Sequence, residues 1–229
     1  MPAAIPSQPS ALLPSLFQHI DEGRCLTVLH IGSALPETVE FFSRYRCKLH
    51  FIDLFGDLPD LLAGDDATIS LQQRWGDLLH IPAGTRFDLC LFWDLFNFLQ
   101  RDAIGALAHA LAPHLKDTTL AHGFAVHSLK TPQSGKLYGI KELDQISTRP
   151  RATPLPGYSP CNQGQLERTL DCFSVTRSVL LPEGRLEVIG MGSHESKGLK
   201  KGVVVNIEST VTAIQSALEE AELMADCKI

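Results

Sequence analysis

No run of apolar residues in this 229-residue chain approaches the ~20 needed to cross a bilayer as a helix, so no membrane span is expected. No two of the six cysteines (Cys25, Cys47, Cys90, Cys161, Cys172 and Cys227) stand as a CxxC pair. Several sit inside apolar strand-like runs, which points to free, buried thiols in a reducing compartment. A basic face is also lacking. The group Lys197, Lys200 and Lys201 is too short to form one, and the net charge is −6 with a pI near 5.8. Counterion release from a nucleic acid needs clustered cations, so that class of partner is excluded. Met1 to Ser10 holds no basic residue and so lacks the start of a secretory signal. The nine histidines show no HExxH, facial-triad or zinc-finger spacing, and no metal site is expected. These absences together predict a cytoplasmic protein without nucleic-acid or membrane contacts.

What the sequence does contain is ordinary for a packed domain: 44% hydrophobic and 20% charged residues. Residues 11–22 read as a leading helix, with Leu12, Leu13, Leu16, Phe17 and Ile20 at helical spacing. The apolar run Cys25 to Ile31 reads as a buried first strand stopped by Gly32. Pro36 and Glu37 then open a helix, Pro favoured in the first turn and Glu by the dipole. Lys48 to Ile52 is a second strand ending in Asp53, and Pro59 to Leu62 a short helix. Thr68 to Leu71 reads as a third strand and Phe87 to Trp93 as a fourth. Gln100 to Leu115 is amphipathic, with Ile104, Leu107, Leu111 and Leu115 on one face, and Thr119 to His127 is a fifth strand. Strands apolar on both faces and alternating with helices imply a parallel sheet covered on both sides.

After Ser128 the texture changes. Lys130 to Pro160 is rich in proline and reads as an extended connection over the ligand edge of the sheet. Gln163 to Asp171 is a helix. Phe173 to Leu181 and Arg185 to Met191 are strands joined at Pro182-Glu183-Gly184, a hairpin signal. Gly198 to Gly202 reads as a linker. Ile207, Val211, Ile214, Leu218 and Ala221 then form a short heptad-like seam that docks on the domain or on a partner, and a helical contact between copies stays open. The expected organisation is an N-terminal segment and leading helix (1–23), one α/β domain (24–196), and a linker with a C-terminal helix (197–229).

Three segments carry a resemblance to the class I S-adenosylmethionine-dependent methyltransferases. These are VLHIGSALPETVEFF (Val28 to Phe42), LHFIDLF (Leu49 to Phe55) and WGDLLHIPAGTRFDLCLFWDLFNFL (Trp75 to Leu99). The resemblance covers roughly Thr27 to Gly192. It implies a Rossmann-like, mostly parallel seven-stranded sheet with helices on both faces and a C-terminal antiparallel hairpin. It further implies S-adenosylmethionine as cofactor, held by His30, Gly32, Ser33, Asp53, Leu54, Asp77, Leu78 and Trp93. By this likeness Asp53 accepts from the ribose hydroxyls, Asp77 from the adenine amino group, and Leu78 donates its backbone N–H to the ring. Asp94 and His127 are the catalytic candidates: Asp94 where the family shapes the transfer pocket, His127 as a general base at the end of the fifth strand.

The sequence departs from the family pattern where the first motif is usually acidic and glycine-rich. His30 replaces the acidic residue, and Gly32 stands alone before Ser33, Ala34, Leu35 and Pro36. The two missing glycines put Cβ atoms where the cofactor would lie. Structural alternatives stand beside each role: Asp53, Asp77 and Asp94 as caps, His127 as a lone histidine, and Trp93, Tyr138 and Tyr158 as packing rather than pocket lining. Two functions follow. One is methyl transfer to a small or medium acceptor. The other is an inactive methyltransferase-like scaffold or assembly partner that has lost its cofactor. A nicotinamide-dependent oxidoreductase is opposed by the closing hairpin and the absence of GxGxxG.

Overall fold

The computed structural model describes residues 6–20, 23–63, 70–133, 135–152, 155, 157–170, 172–192, 199–200 and 203–204. The chain divides into two units, Met1–Gly192 and Ser193–Ile229. In the first unit the apolar runs form β2 (Leu26–Ile31), β3 (Cys47–Ile52), β4 (Leu89–Trp93) and β5 (Leu120–Val126), following β1 (Ser7–Pro9) in the chain. The helices are α1 (Leu13–Phe17), α2 (Pro36–Phe42), α3 (Leu58–Ala63), α4 (Leu71–Leu79), α5 (Arg101–Leu111) and α6 (Gln163–Thr169). Two hairpins complete the unit: β6 (Lys136–Glu142) with β7 (Gln145–Pro150), and β8 (Phe173–Leu180) with β9 (Arg185–Gly192).

The main sheet has, among the described residues, six strands in the order β3-β2-β4-β5-β9-β8. β2, β3, β4 and β5 run parallel, whereas β9 pairs antiparallel with β5 and with β8. The sheet is therefore mixed rather than mostly parallel, and the α/β architecture and closing hairpin stand. The expected third strand does not form at Ser70 and Leu71; residues 68–69 lie outside the described set. Ser70 accepts from the Gln73 backbone N–H at 3.2 Å, and the Gln73 side chain accepts from the Ser70 backbone N–H at 3.0 Å. That reciprocal cap starts α4, where Trp75 and Leu79, four residues apart, enter the core. At Ser70 and Leu71 the β-like pattern was outweighed by a helix-start signal that spans Ser70 to Gln73.

Alternation along each strand separates two cores. Leu29, Ile31, Cys90, Phe92, Ala121 and Ala125 face α3, α4, α5 and α6. Val28, Leu89, Leu91, Trp93, Leu120 and Phe124 face α1, α2 and a second, three-stranded sheet ordered β1-β7-β6. This small sheet corrects the reading of 130–160 as a plain extended connection. It also joins the N-terminal segment to the domain, because Ser7, Gln8 and Pro9 pair with Ser147, Ile146 and Gln145. β6 approaches α2 so closely that a Cβ at Gly139 would collide with the Thr38 hydroxyl and meet Leu35 Cδ1 at 3.1 Å. The freed space lets Thr38 accept from the Ile140 backbone N–H at 3.1 Å.

The leading helix is shorter than expected, ending at Phe17, and α5 stops at Leu111 before Pro113 breaks the pattern. In the second unit, Leu199–Lys200 pairs antiparallel with Val203–Val204 where a linker was expected. The heptad-like seam at Ile207 to Ala221 lies outside the described residues. No helix among the described residues is long and apolar enough to cross a membrane. Cys25 is exposed, and Cys90 and Cys161 are buried; no disulfide joins the described cysteines.

Candidate functional site

Strand order reverses at β2, whose two neighbours are β3 and β4. Connections leave such a point in opposite directions, so a crevice opens beyond the carboxyl ends of the strands. The residues at its rim are those that follow β2, β3 and β4. After β2 comes Gly32 at φ +122°, a conformation that side chains rarely adopt, with its N–H donated to the Ile52 carbonyl at 2.7 Å. A Cβ there would find only His30 Cε1, at 3.9 Å, so the backbone is open to approach. After β3 comes Asp53, exposed, which accepts from the Ser33 hydroxyl and, at 3.4 Å, from the Phe55 backbone N–H. Its remaining lone pairs are free to receive donors.

After β4 comes Asp94, and its setting is unlike that of Asp53. Its side chain is 6% exposed, and neither oxygen has a hydrogen-bond partner. Burial raises its pKa from 3.8 to about 7, against the pull of Arg151 and Arg185. Arg151 Nη2 stands 3.6 Å from Asp94 Oδ1 and donates to the Lys136 carbonyl at 2.8 Å. The guanidinium carbon lies 3.5 Å from the Phe55 ring centroid, a cation–π contact, while Nε is left without a partner. Burial lowers the Arg151 pKa, and Asp94 and Asp53 oppose that shift. Two acids and a base thus converge on one edge, with buried polar atoms unsatisfied.

His30 is turned away from the crevice into the core below the small sheet. Its Nε2 accepts from the Trp93 indole N–H at 3.1 Å. Burial pulls its pKa from 6.5 down to about 4, so the ring is neutral and Nδ1 carries the proton. Trp93 itself adopts φ +52°, at the point where the β4–β5 register shifts. A left-handed non-glycine residue costs about 1–2 kcal/mol. The stack on Tyr138 (centroids 5.8 Å apart, planes at 18°) and the bond to His30 hold it there. Trp93 and Tyr138 are both buried in the core on the small-sheet side.

The structure brings Gly32, Ser33, Asp53 and Asp94 to one edge and leaves other expected residues elsewhere. Leu54 is fully buried in the helix-side core. Asp77 stands exposed within α4, and Leu78 lies in the same helix with its N–H inside the helical ladder. Neither sits in a turn at the strand ends, so the adenine roles expected of them lose their geometry. His127 is exposed just beyond β5, its backbone N–H donated to Gly184 at 2.9 Å. Arg151 was missed because its partner Asp94 is remote in sequence and nothing local marks it. Asn97 was missed too. Its side chain donates to the Phe124 carbonyl at 3.0 Å and accepts from the Cys161 N–H at 3.1 Å, while its carbonyl accepts from Ser159 N–H. It pins the 159–161 segment to the end of β5.

No family model matches the chain. Cell division protein FtsA of Pseudomonas aeruginosa is 66% identical over 47 residues, 20% of this chain and 11% of that protein. The Escherichia coli K12 protein of the same name is 50% identical over 50 residues, 22% of this chain and 12% of its own length. The matched segment thus spans about one tenth of these curated relatives. Solved structures similar to the chain include a 1,6-didemethyltoxoflavin-N1-methyltransferase from Burkholderia thailandensis, 16% identical over 80% of this chain and 79% of that one, TM-score 0.45. Another is an S-adenosylmethionine-dependent methyltransferase from Mesorhizobium loti, 13% identical over 80% and 98%, TM-score 0.49.

Proposed function

We propose that the chain is an S-adenosylmethionine-dependent methyltransferase acting on a small or medium acceptor. The observation that carries this reading is the orphaned polar set at the switch-point crevice: both oxygens of buried Asp94 and Nε of Arg151, beside a partly committed Asp53. Buried polar atoms without partners are rare in folded proteins and call for a ligand or water. A molecule with hydroxyls at one end and an amino-acid zwitterion at the other satisfies them all. Asp53 would accept from the ribose hydroxyls, Asp94 from the methionine ammonium, and Arg151 would pair with the methionine carboxylate. Gly32 leaves the backbone open between these groups.

When bound, the cofactor supplies an electrophilic sulfonium methyl. The chain's own residues then do the positioning: Arg151 is held by the Lys136 carbonyl and the Phe55 ring, so its charge is presented in one place. Asp94, with its pKa near neutrality, takes up its charged form when an ammonium group arrives. Asp94 is therefore a binding group in this reading, and His127 is left without a role.

A second reading is a methyltransferase-like scaffold linked to division machinery. It is favoured by the segment similar to FtsA, and by Arg151 already lying over Phe55 where a ligand ring could otherwise stack. Isothermal titration of the full chain with S-adenosylhomocysteine separates the two. Methyl transfer predicts binding that Asp53→Ala weakens about tenfold or more, as for loss of a charged hydrogen-bond acceptor. No heat at millimolar ligand sinks the enzyme and leaves the scaffold.

A further inference from the structure

A cavity of about 210 Å³ opens between the start of α5 and α6, lined by Leu99, Arg101, Ile104, Ser159, Pro160 and Arg168 among others. Its place is set by the sheet. Leu99 follows β4 closely, and the wall at Ser159 and Pro160 belongs to the segment that Asn97 pins to β5, where Val126 N–H also donates to the Cys161 carbonyl at 2.9 Å. The cavity thus sits by the same carboxyl ends as Asp94. Tyr158 adjoins this wall. Its phenol pKa is raised by burial and by the charge of Asp94, so the acid lies near it.

The lining is unusual in its charge. Arg101 and Arg168 come from different helices, and neither guanidinium makes a hydrogen bond or ion pair with any described residue. The chain is net acidic with only 20 basic residues, so two cations brought to one cavity without a carboxylate between them are uncompensated. Like charges lining one cavity repel, and an anion bound there would be attracted by both. The 11-residue α5 begins at Arg101 itself. Its cap residue, Gln100, makes no side-chain capping hydrogen bond, which leaves first-turn N–H groups for an anion as well. Leu99, Ile104 and Pro160 supply an apolar wall beside this positive end.

We propose that this cavity binds a small amphiphilic anion, an apolar ring or chain bearing a carboxylate or phosphate, and that this is the acceptor substrate. The anion lies against Arg101 and Arg168 and the apolar body against Leu99, Ile104 and Pro160. Its identity as the acceptor rests on the methyl-transfer reading; the anion site itself does not.

The test is an NMR titration of the full chain with benzoate, phenyl phosphate and the neutral benzamide, repeated on Arg101→Gln/Arg168→Gln. Both arginines are exposed, so the double variant is expected to stay folded. Benzoate or phenyl phosphate should bind at least about tenfold more tightly than benzamide, and the double variant should lose about tenfold or more of that affinity. The preferred anion tells carboxylate from phosphate. S-adenosylhomocysteine affinity should be the same in both proteins. Equal binding of benzamide and the anions, or anion binding untouched by the double substitution, overturns the site. Anion binding without S-adenosylhomocysteine binding keeps the site and overturns its role in holding a methyl acceptor.

Discussion

On the side of the sheet covered by α3 to α6, the contacts are almost wholly apolar: Trp75, Phe87, Phe92, Leu95, Phe98 and Leu107 meet with few polar atoms among them. Trp75 places its one N–H on the Ala103 carbonyl at 3.0 Å. On the opposite side, apolar residues share the space with a buried polar network. Glu187 on β9 accepts from His122 at 2.9 Å, from the Ser10 hydroxyl and, at 3.0 Å, from the Ala11 N–H. Arg185 donates to Tyr138 at 2.9 Å and to Gln8 at 3.0 Å. Arg149 pairs with Glu37 through two bonds, of 3.2 and 2.8 Å. The first side is held by burial, which tolerates sliding of neighbours of similar shape. The second is held by directional bonds that fix where β1, β6 and β7 lie.

If that contrast is right, the largest effect comes from breaking a bond hub. Glu187→Ala leaves His122 Nε2 and the Ser10 O–H without their acceptor in the interior and should destabilise the fold by about 4 kcal/mol. Burial opposes the charge of Glu187, yet His122, Ser10 and Ala11 together lower its pKa. The urea midpoint at constant slope measures the loss. On the helical side, Leu107→Ala should cost about 3 kcal/mol, the transfer term plus a partly collapsed cavity. A larger loss for Leu107→Ala than for Glu187→Ala would break the comparison.

The third test reads a slope with pH rather than a loss at one pH. Folded Asp94 holds its proton up to about pH 7, while the unfolded chain releases it near 4. The stability this confers is complete below about pH 4 and is lost as pH rises to 7. Wild type should therefore lose stability relative to Asp94→Asn between pH 4 and 7.5. His30 contributes the opposite sign: its folded pKa is near 4, so its stabilising effect is present above about 6.5 and lost on acidification toward 4. A flat difference between wild type and Asp94→Asn would mean that Asp94 is not buried as described. It would also remove the orphaned acid from the proposed site.

Most strands were legible from their own residues, since Leu26–Ile31, Cys47–Ile52, Leu89–Trp93 and Leu120–Val126 are short, predominantly apolar runs. The rims were legible for the same reason: Gly32, Asp53 and Asp94 come directly after such runs. The hairpin β6–β7 was not. Its residues alternate only loosely among prolines and charges, and their burial depends on β1, far away in sequence. Nor was α4, where Ser70 and Gln73 form a cap that the β-like neighbourhood masked.

By itself, the order of residues determined an alternating α/β chain, its closing hairpin and the three rim positions, because periodicity and chain-stopping residues act over a few neighbours. Only the tertiary structure decided that Arg151 meets Asp94, that His30 holds Trp93, and that Arg101 faces Arg168's cavity. Those pairings join residues tens of positions apart, and a charge's partner and pKa depend on what burial brings beside it, which no local pattern records.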